Sequence, residues 1–148
     1  MKKILLITLV VILSACSLGT SSEFTKNRQL WQDAGITHYR FSLSILCFCI
    51  FSEQMPITIE VQNNEVVSMT YPDGTLVTPD DPNYTTFANH AVIDNLFSEL
   101  EAGLQDADEV TVTYDAAYGF PNSIHFDYVR IIADDELGLS VSGFEVLQ

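Results

Sequence analysis

Basic residues are what this chain most lacks: six lysines and arginines stand against twenty aspartates and glutamates in 148 residues, a formal charge of −14. A nucleic-acid groove needs a Lys/Arg patch to neutralise phosphates. Lys26, Arg28, Arg40 and Arg130 are too few and too dispersed to make one, so nucleic acid is excluded as a partner. The same charge argues against electrostatic docking on anionic headgroups. Also missing are a glycine-framed nucleophile, a phosphate-binding loop and a His-Glu-x-x-His helix. The expectation is a protein that is not an enzyme and uses no cofactor. The leading apolar run, Ile4 to Leu13, is about half the roughly 20 residues that a helix needs to cross a bilayer. Apolar residues still make up 47% of the chain, which excludes a disordered one.

What is present at the start is a basic Met1-Lys2-Lys3, that short apolar run, and then Leu13-Ser14-Ala15-Cys16. Together they form a signal-peptide pattern. The last four residues resemble the lipobox of bacterial lipoproteins, in which cleavage before the cysteine follows addition of a diacylglycerol to its sulfur. Residues 1–15 are therefore expected to be a leader, Cys16 the lipidated N-terminus, and residues 16–22 a short tether, ahead of a single domain over residues 23–148. Acyl chains contribute about 0.8 kcal/mol per buried methylene and make such attachment to the membrane effectively permanent. Ser17 rather than aspartate after the cysteine favours the outer over the inner membrane in a Gram-negative envelope. Loss of Lys2 and Lys3 with the leader leaves four basic residues against twenty acidic ones, a net charge of −16.

Periodicity then predicts an α+β domain. Phe24, Leu30, Trp31 and Ala34 lie near helical spacing, with Gly35 as a stop. From Thr37 the period becomes two, with Tyr39, Phe41, Leu43, Ile45, Cys47 and Cys49 on one face of a long strand. Its end, Ile45 to Phe51, is apolar on both faces, so it is either a covered central strand or a sticky edge. Strands are expected around Ile57–Val61 and Val66–Tyr71, turning at Asn63-Asn64. Residues 75–90 read as a loop. A second helix carries the stripe Ile93, Leu96, Phe97, Leu100 and Leu104. Three more strands follow, around Val110–Tyr114, Ile124–Tyr128 and Leu139–Val146. Both halves read helix, strand, strand, strand. The expectation is one antiparallel sheet of about six strands with two helices on a single face, as a loose tandem duplication.

Few residues carry chemistry. Cys47 and Cys49 are a candidate disulfide in an exported chain, with buried free thiols and a metal site as the alternatives. Positions i and i+2 of a flat strand sit roughly 6.5 to 7 Å apart, so a bond between them requires a bulge or turn. Ser123, His125 and Asp127 share one strand face at a spacing too wide for proton transfer and read as a solvated surface. The acidic groups Asp80-Asp81, Asp106-Asp108-Glu109 and Asp134-Asp135-Glu136 lack the spacing of a calcium loop, and no metal site is assigned. The turn Tyr114 to Pro121 either plugs a sheet end with its rings, the commoner outcome, or presents Tyr118 and Phe120 as partner contacts.

The order of Trp31, Gly35-Ile36, Tyr39, Cys47-Phe48-Cys49, Ile93 to Phe97, Tyr114-Asp115, Tyr118-Gly119-Phe120-Pro121, Asp127 and Asp134-Asp135 resembles the uncharacterised bacterial lipoproteins grouped as domain of unknown function 6174. The resemblance implies a single-domain lipoprotein and brings no activity with it. The expected function is that of a lipid-anchored, non-catalytic envelope module that contacts a protein or cell-wall component. The alternative is a lipoprotein that binds a small ligand or metal.

Overall fold

The computed structural model describes residues 15–132 and 134–148, with the side chains of residues 15–21 left aside. The expected leader and the lipidated sulfur of Cys16 therefore lie outside the described residues. The chain runs α1 (Ala15–Ala34), β1 (His38–Leu46), a 3-10 turn (Ser52–Gln54), β2 (Ile57–Gln62), β3 (Glu65–Thr70), α2 (Tyr84–Asn89), α3 (Ile93–Asp106), β4 (Glu109–Tyr114), β5 (Pro121–Asp127) and β6 (Glu136–Val146). The backbone of residues 16–22, expected as a tether, continues α1. Among the described residues no helix is long and apolar enough to cross a membrane.

All six strands form one antiparallel sheet in the order β3-β2-β1-β6-β5-β4. The first and last strands of the chain thus meet at its centre, where Leu43 faces Val141 and Ile45 faces Leu139. Alternation decides the faces. Tyr39, Phe41, Leu43 and Ile45 of β1, Ile57, Ile59 and Val61 of β2, Ile124 and Phe126 of β5, and Leu139 and Val141 of β6 are all buried. Their neighbours, among them Arg40, Ser42, Thr58, Ser123 and Ser140, lie on the open face.

Both long helices cover the apolar face, as periodicity predicts. In α1, Phe24 and Trp31 are seven residues apart, two helical turns, and reach Phe97 of α3 and Tyr39 of β1 as edge-to-face pairs at 6.0 and 5.6 Å. Gly35, at φ +59°, ends the helix in the left-handed region. In α3 the stripe Ile93, Leu96, Phe97 and Leu100 is buried as expected, and Gly103 joins it. A Cβ at Gly103 would come within 2.1 Å of the Phe126 ring, so glycine is what lets α3 settle on β5. The β2–β3 hairpin turns through Asn63 and Asn64 at φ 53° and 63°, the two left-handed residues of a tight hairpin.

Three expectations need correction. Residues 75–90 are not all loop, because α2 forms and buries Phe87 against Phe51 and Tyr71. The first strand stops at Leu46 instead of running through Cys49. The duplication holds for element order only: β1 and β4 would be equivalent, but they stand three places apart in an alternating sheet and so run in opposite directions. No rotation superposes the halves while both helices stay on one face.

Candidate functional site

The strand that was expected to continue through two cysteines ends because the backbone folds back on itself. Cys49 N–H donates to Cys47 O at 2.8 Å, and this turn brings the two Cα atoms to 5.2 Å, inside disulfide range, with the sulfurs bonded to each other. The turn that the cysteine spacing required is thus present.

Its consequence is the position of what lies between and after the cysteines. Phe48 is 89% exposed and Ile50 is 97% exposed, while Phe51 turns back to pack on Phe87 at 5.1 Å. A second loop joins this end of the sheet, because Leu46 pairs with Gly138 and Asp127 with Glu136. In that loop Ile131 is 93% exposed and Ile132 about half exposed. The two loops share a shallow cavity of about 240 Å³ lined by Leu46, Cys47, Phe48, His125, Asp134 and Glu136. Large apolar side chains of this kind each gain about 1.5–3 kcal/mol on full burial, and Phe48, Ile50 and Ile131 forgo most of it here. Phe48 and Ile50 flank Cys49 along one pocket wall, and the second loop brings Ile131 and Ile132 to the same end of the sheet, so this end is an apolar tip.

The charge around the tip is acidic. Asp134 and Glu136 form part of its wall. Arg130, the nearest cation in sequence, is ion-paired to Glu109 at 3.1 Å and donates its backbone N–H to Asp108. Arg28 and Arg40 are paired likewise, to Glu101 at 2.9 Å and Glu145 at 2.7 Å. All three arginines are therefore matched to glutamates, and the surplus charge of the chain is uncompensated carboxylate. Close to the tip, Asp127 Oδ1 and both carboxylate oxygens of Asp135 are buried with no hydrogen-bond partner among the described residues. Among the described residues no group of three His, Cys, Asp or Glu is placed to hold a metal ion.

The turn offered as a partner contact behaves otherwise, and the assignment of Phe120 is corrected. Phe120 is 2% exposed, edge-on to Trp31 at 6.0 Å and 4.5 Å from Phe144, and Tyr118 packs on Phe144 at 5.6 Å. Asp115 fixes the turn by accepting the backbone N–H groups of Ala117 and Tyr118. Gly119, at φ +78°, lies so close beneath α1 that a Cβ would meet the Asn27 carbonyl at 2.5 Å. Phe120 is thus the plug of the sheet's other end, with the half-buried Tyr118 lying beside it on Phe144. Phe144 completes that cluster through a bulge: Gly143, at φ +60°, interrupts the register between β6 and β1 and turns Phe144 to the core.

Ser123, His125 and Asp127 lie along the open face of β5, and no hydrogen bond joins any two of them among the described residues. Asp81 acts as a loop brace, accepting from Tyr71 Oη and the Asn83 N–H. A third feature, which the sequence did not mark, is Asp94. Its carboxylate accepts from Trp31 Nε1 at 3.0 Å and Asn64 Nδ2 at 2.6 Å, tying α1, α3 and the β2–β3 turn together beside an open cavity of about 310 Å³. With one hydrogen bond at each oxygen, this carboxylate reads as a structural tie.

A model of a family of unknown function (DUF6174) matches residues 23–146. Neither a curated protein nor a solved structure matches the chain.

Proposed function

Starting from the fact that the chain belongs to the DUF6174 family, we propose that it is a lipid-anchored, non-catalytic module of the bacterial cell envelope that docks a partner through the apolar tip. The observation that carries this reading is the exposure of Phe48, Ile50 and Ile131 at one end of the sheet. A folded domain that leaves such side chains in water, with one of them held between bonded cysteines, has a preorganised contact surface. Anchoring follows from Leu13-Ser14-Ala15-Cys16, with the outer membrane favoured in a Gram-negative envelope. The tip argues for a protein rather than a cell-wall glycan, because hydrated sugar strands offer aliphatic side chains little to bury against.

The test is photo-crosslinking in cells that naturally express the protein, with a benzophenone amino acid at Ile131 or, as control, at Thr58 on the open face. A discrete adduct from the tip position alone, weakened by Phe48→Asp, supports the reading. Equal labelling from both positions, or none from the tip, overturns it. Incorporation of radiolabelled palmitate that disappears in Cys16→Ser checks the anchor.

A second reading, a lipoprotein that binds a cation or small ligand, is favoured by the unpartnered buried oxygens of Asp127 and Asp135. Calorimetric titration with calcium giving neither heat nor a rise in melting temperature would remove calcium as that ligand.

A further inference from the structure

We infer that the occupant of the tip is another protein, one presenting an apolar cleft rimmed by lysine or arginine. This rests on the docking reading above and goes beyond it by naming the partner's chemistry. Three observations carry it. Phe48 and Ile50, flanking Cys49 along one pocket wall, are almost wholly exposed, so the partner surface must be apolar and able to enclose them. Asp134 and Glu136 stand in the wall of the same cavity as Phe48, so the rim that meets the partner is negative. Arg130 is occupied by Glu109 and does not offset that rim.

Charge then selects among occupants. A second copy would bring its own Asp134 and Glu136 against the first, in a chain of net charge −14, and like charges facing each other across an interface oppose association. A bilayer containing anionic lipids repels the rim in the same way. A basic-rimmed protein cleft satisfies both the apolar and the charged features, and long-range attraction to it raises the association rate.

The experiment uses the full chain in its own cells, with the benzophenone at Ile131 and Asp134→Lys together with Glu136→Lys. The conservative pair Asp134→Glu with Glu136→Asp is the control, and melting temperatures of the purified proteins confirm that each variant folds. The expected result is an adduct whose yield falls roughly fivefold with the lysines and is kept by the conservative pair. Its crosslinked peptide should map to an apolar segment flanked by Lys or Arg. An unchanged yield, a crosslinked peptide without basic neighbours, or an adduct with a second copy overturns the inference while leaving docking by the tip intact. So does tip-dependent flotation of the Cys16→Ser protein with vesicles of phosphatidylcholine and phosphatidylglycerol. Absence of any tip adduct removes the docking reading itself.

Discussion

The two ends of the sheet carry similar chemistry and opposite fates. At one end Tyr118-Gly119-Phe120 turns beneath α1, and Phe120 is enclosed by Trp31 and Phe144. At the other, Cys47-Phe48-Cys49 turns beyond the last residue of β1 and Phe48 meets solvent. Both are short turns that carry a phenylalanine. The difference teaches that a ring's role follows from what crosses above it. Where α1 comes within touching distance, as at Gly119, the ring is core, and where the strand runs past its neighbours, the ring is surface.

Substitution should separate the two ends sharply. Phe120→Ala removes a buried ring from the aromatic cluster and should cost about 3–5 kcal/mol in urea unfolding, whereas Phe48→Ala should stay within about 0.5 kcal/mol. Equal losses would erase the contrast. Asp94→Ala leaves Trp31 Nε1 and Asn64 Nδ2 without their acceptor and should cost roughly 1–3 kcal/mol, again at the plugged end. Replacing Cys47 and Cys49 by serine opens a very short loop and should cost about 1.5 kcal/mol on chain-entropy grounds. It should also lower the tip adduct more than that loss of stability explains, because Phe48 is no longer held between bonded cysteines. An unchanged adduct would mean the disulfide plays no part in presentation.

The smallest effect concerns pH and again belongs to the plugged end. Burial pushes the Tyr114 hydroxyl up to about 12, with Glu23 adding to it, and burial pushes Tyr39 up to about 12 against the opposing hydrogen bond from Ile93. A tyrosine whose folded value is raised stabilises the fold fully below its ordinary value near 10, and that contribution is lost as pH climbs through the folded value. Stability should therefore decline between roughly pH 10 and 12. Because Tyr114 Oη is buried with no partner among the described residues, Tyr114→Phe should lessen that decline and gain under about 1 kcal/mol at neutral pH, measured by urea unfolding across the pH range. A loss on substitution would reveal a partner for this hydroxyl.

Much of this could be read from residue order. Alternation in Tyr39 to Ile45 and the stripe from Ile93 to Leu100 placed the core faces correctly, since periods of two and 3.6 leave distinct marks in a linear chain. Asn63-Asn64 marked its turn because consecutive left-handed residues are costly for most other side chains. Short α2 escaped notice, since six residues are too few to establish a stripe. Phe144 escaped too, because the bulge at Gly143 breaks the alternation by which its face would have been assigned. Glycine there and at Gly103 was the available signal, but a single glycine does not say which partner requires it.

The tip itself was half legible. An apolar run on both faces from Ile45 to Phe51 was visible as an anomaly, with central burial or edge exposure as the choices. The structure takes a third course, in which β1 is central but the run overshoots the sheet, so that Phe48 and Ile50 leave the core and Phe51 returns to it.

Composition and local order by themselves determined the acidic surface, the α+β character, the alternating strands and the need for a turn between Cys47 and Cys49. Only tertiary structure decided that Phe120 is covered and Phe48 is not, and that Asp94 ties three elements together. The physical reason is that secondary structure follows from interactions among near neighbours in the chain, which a pattern encodes. Exposure depends on where a distant helix such as α1 comes to rest, and that is a property of the assembled packing.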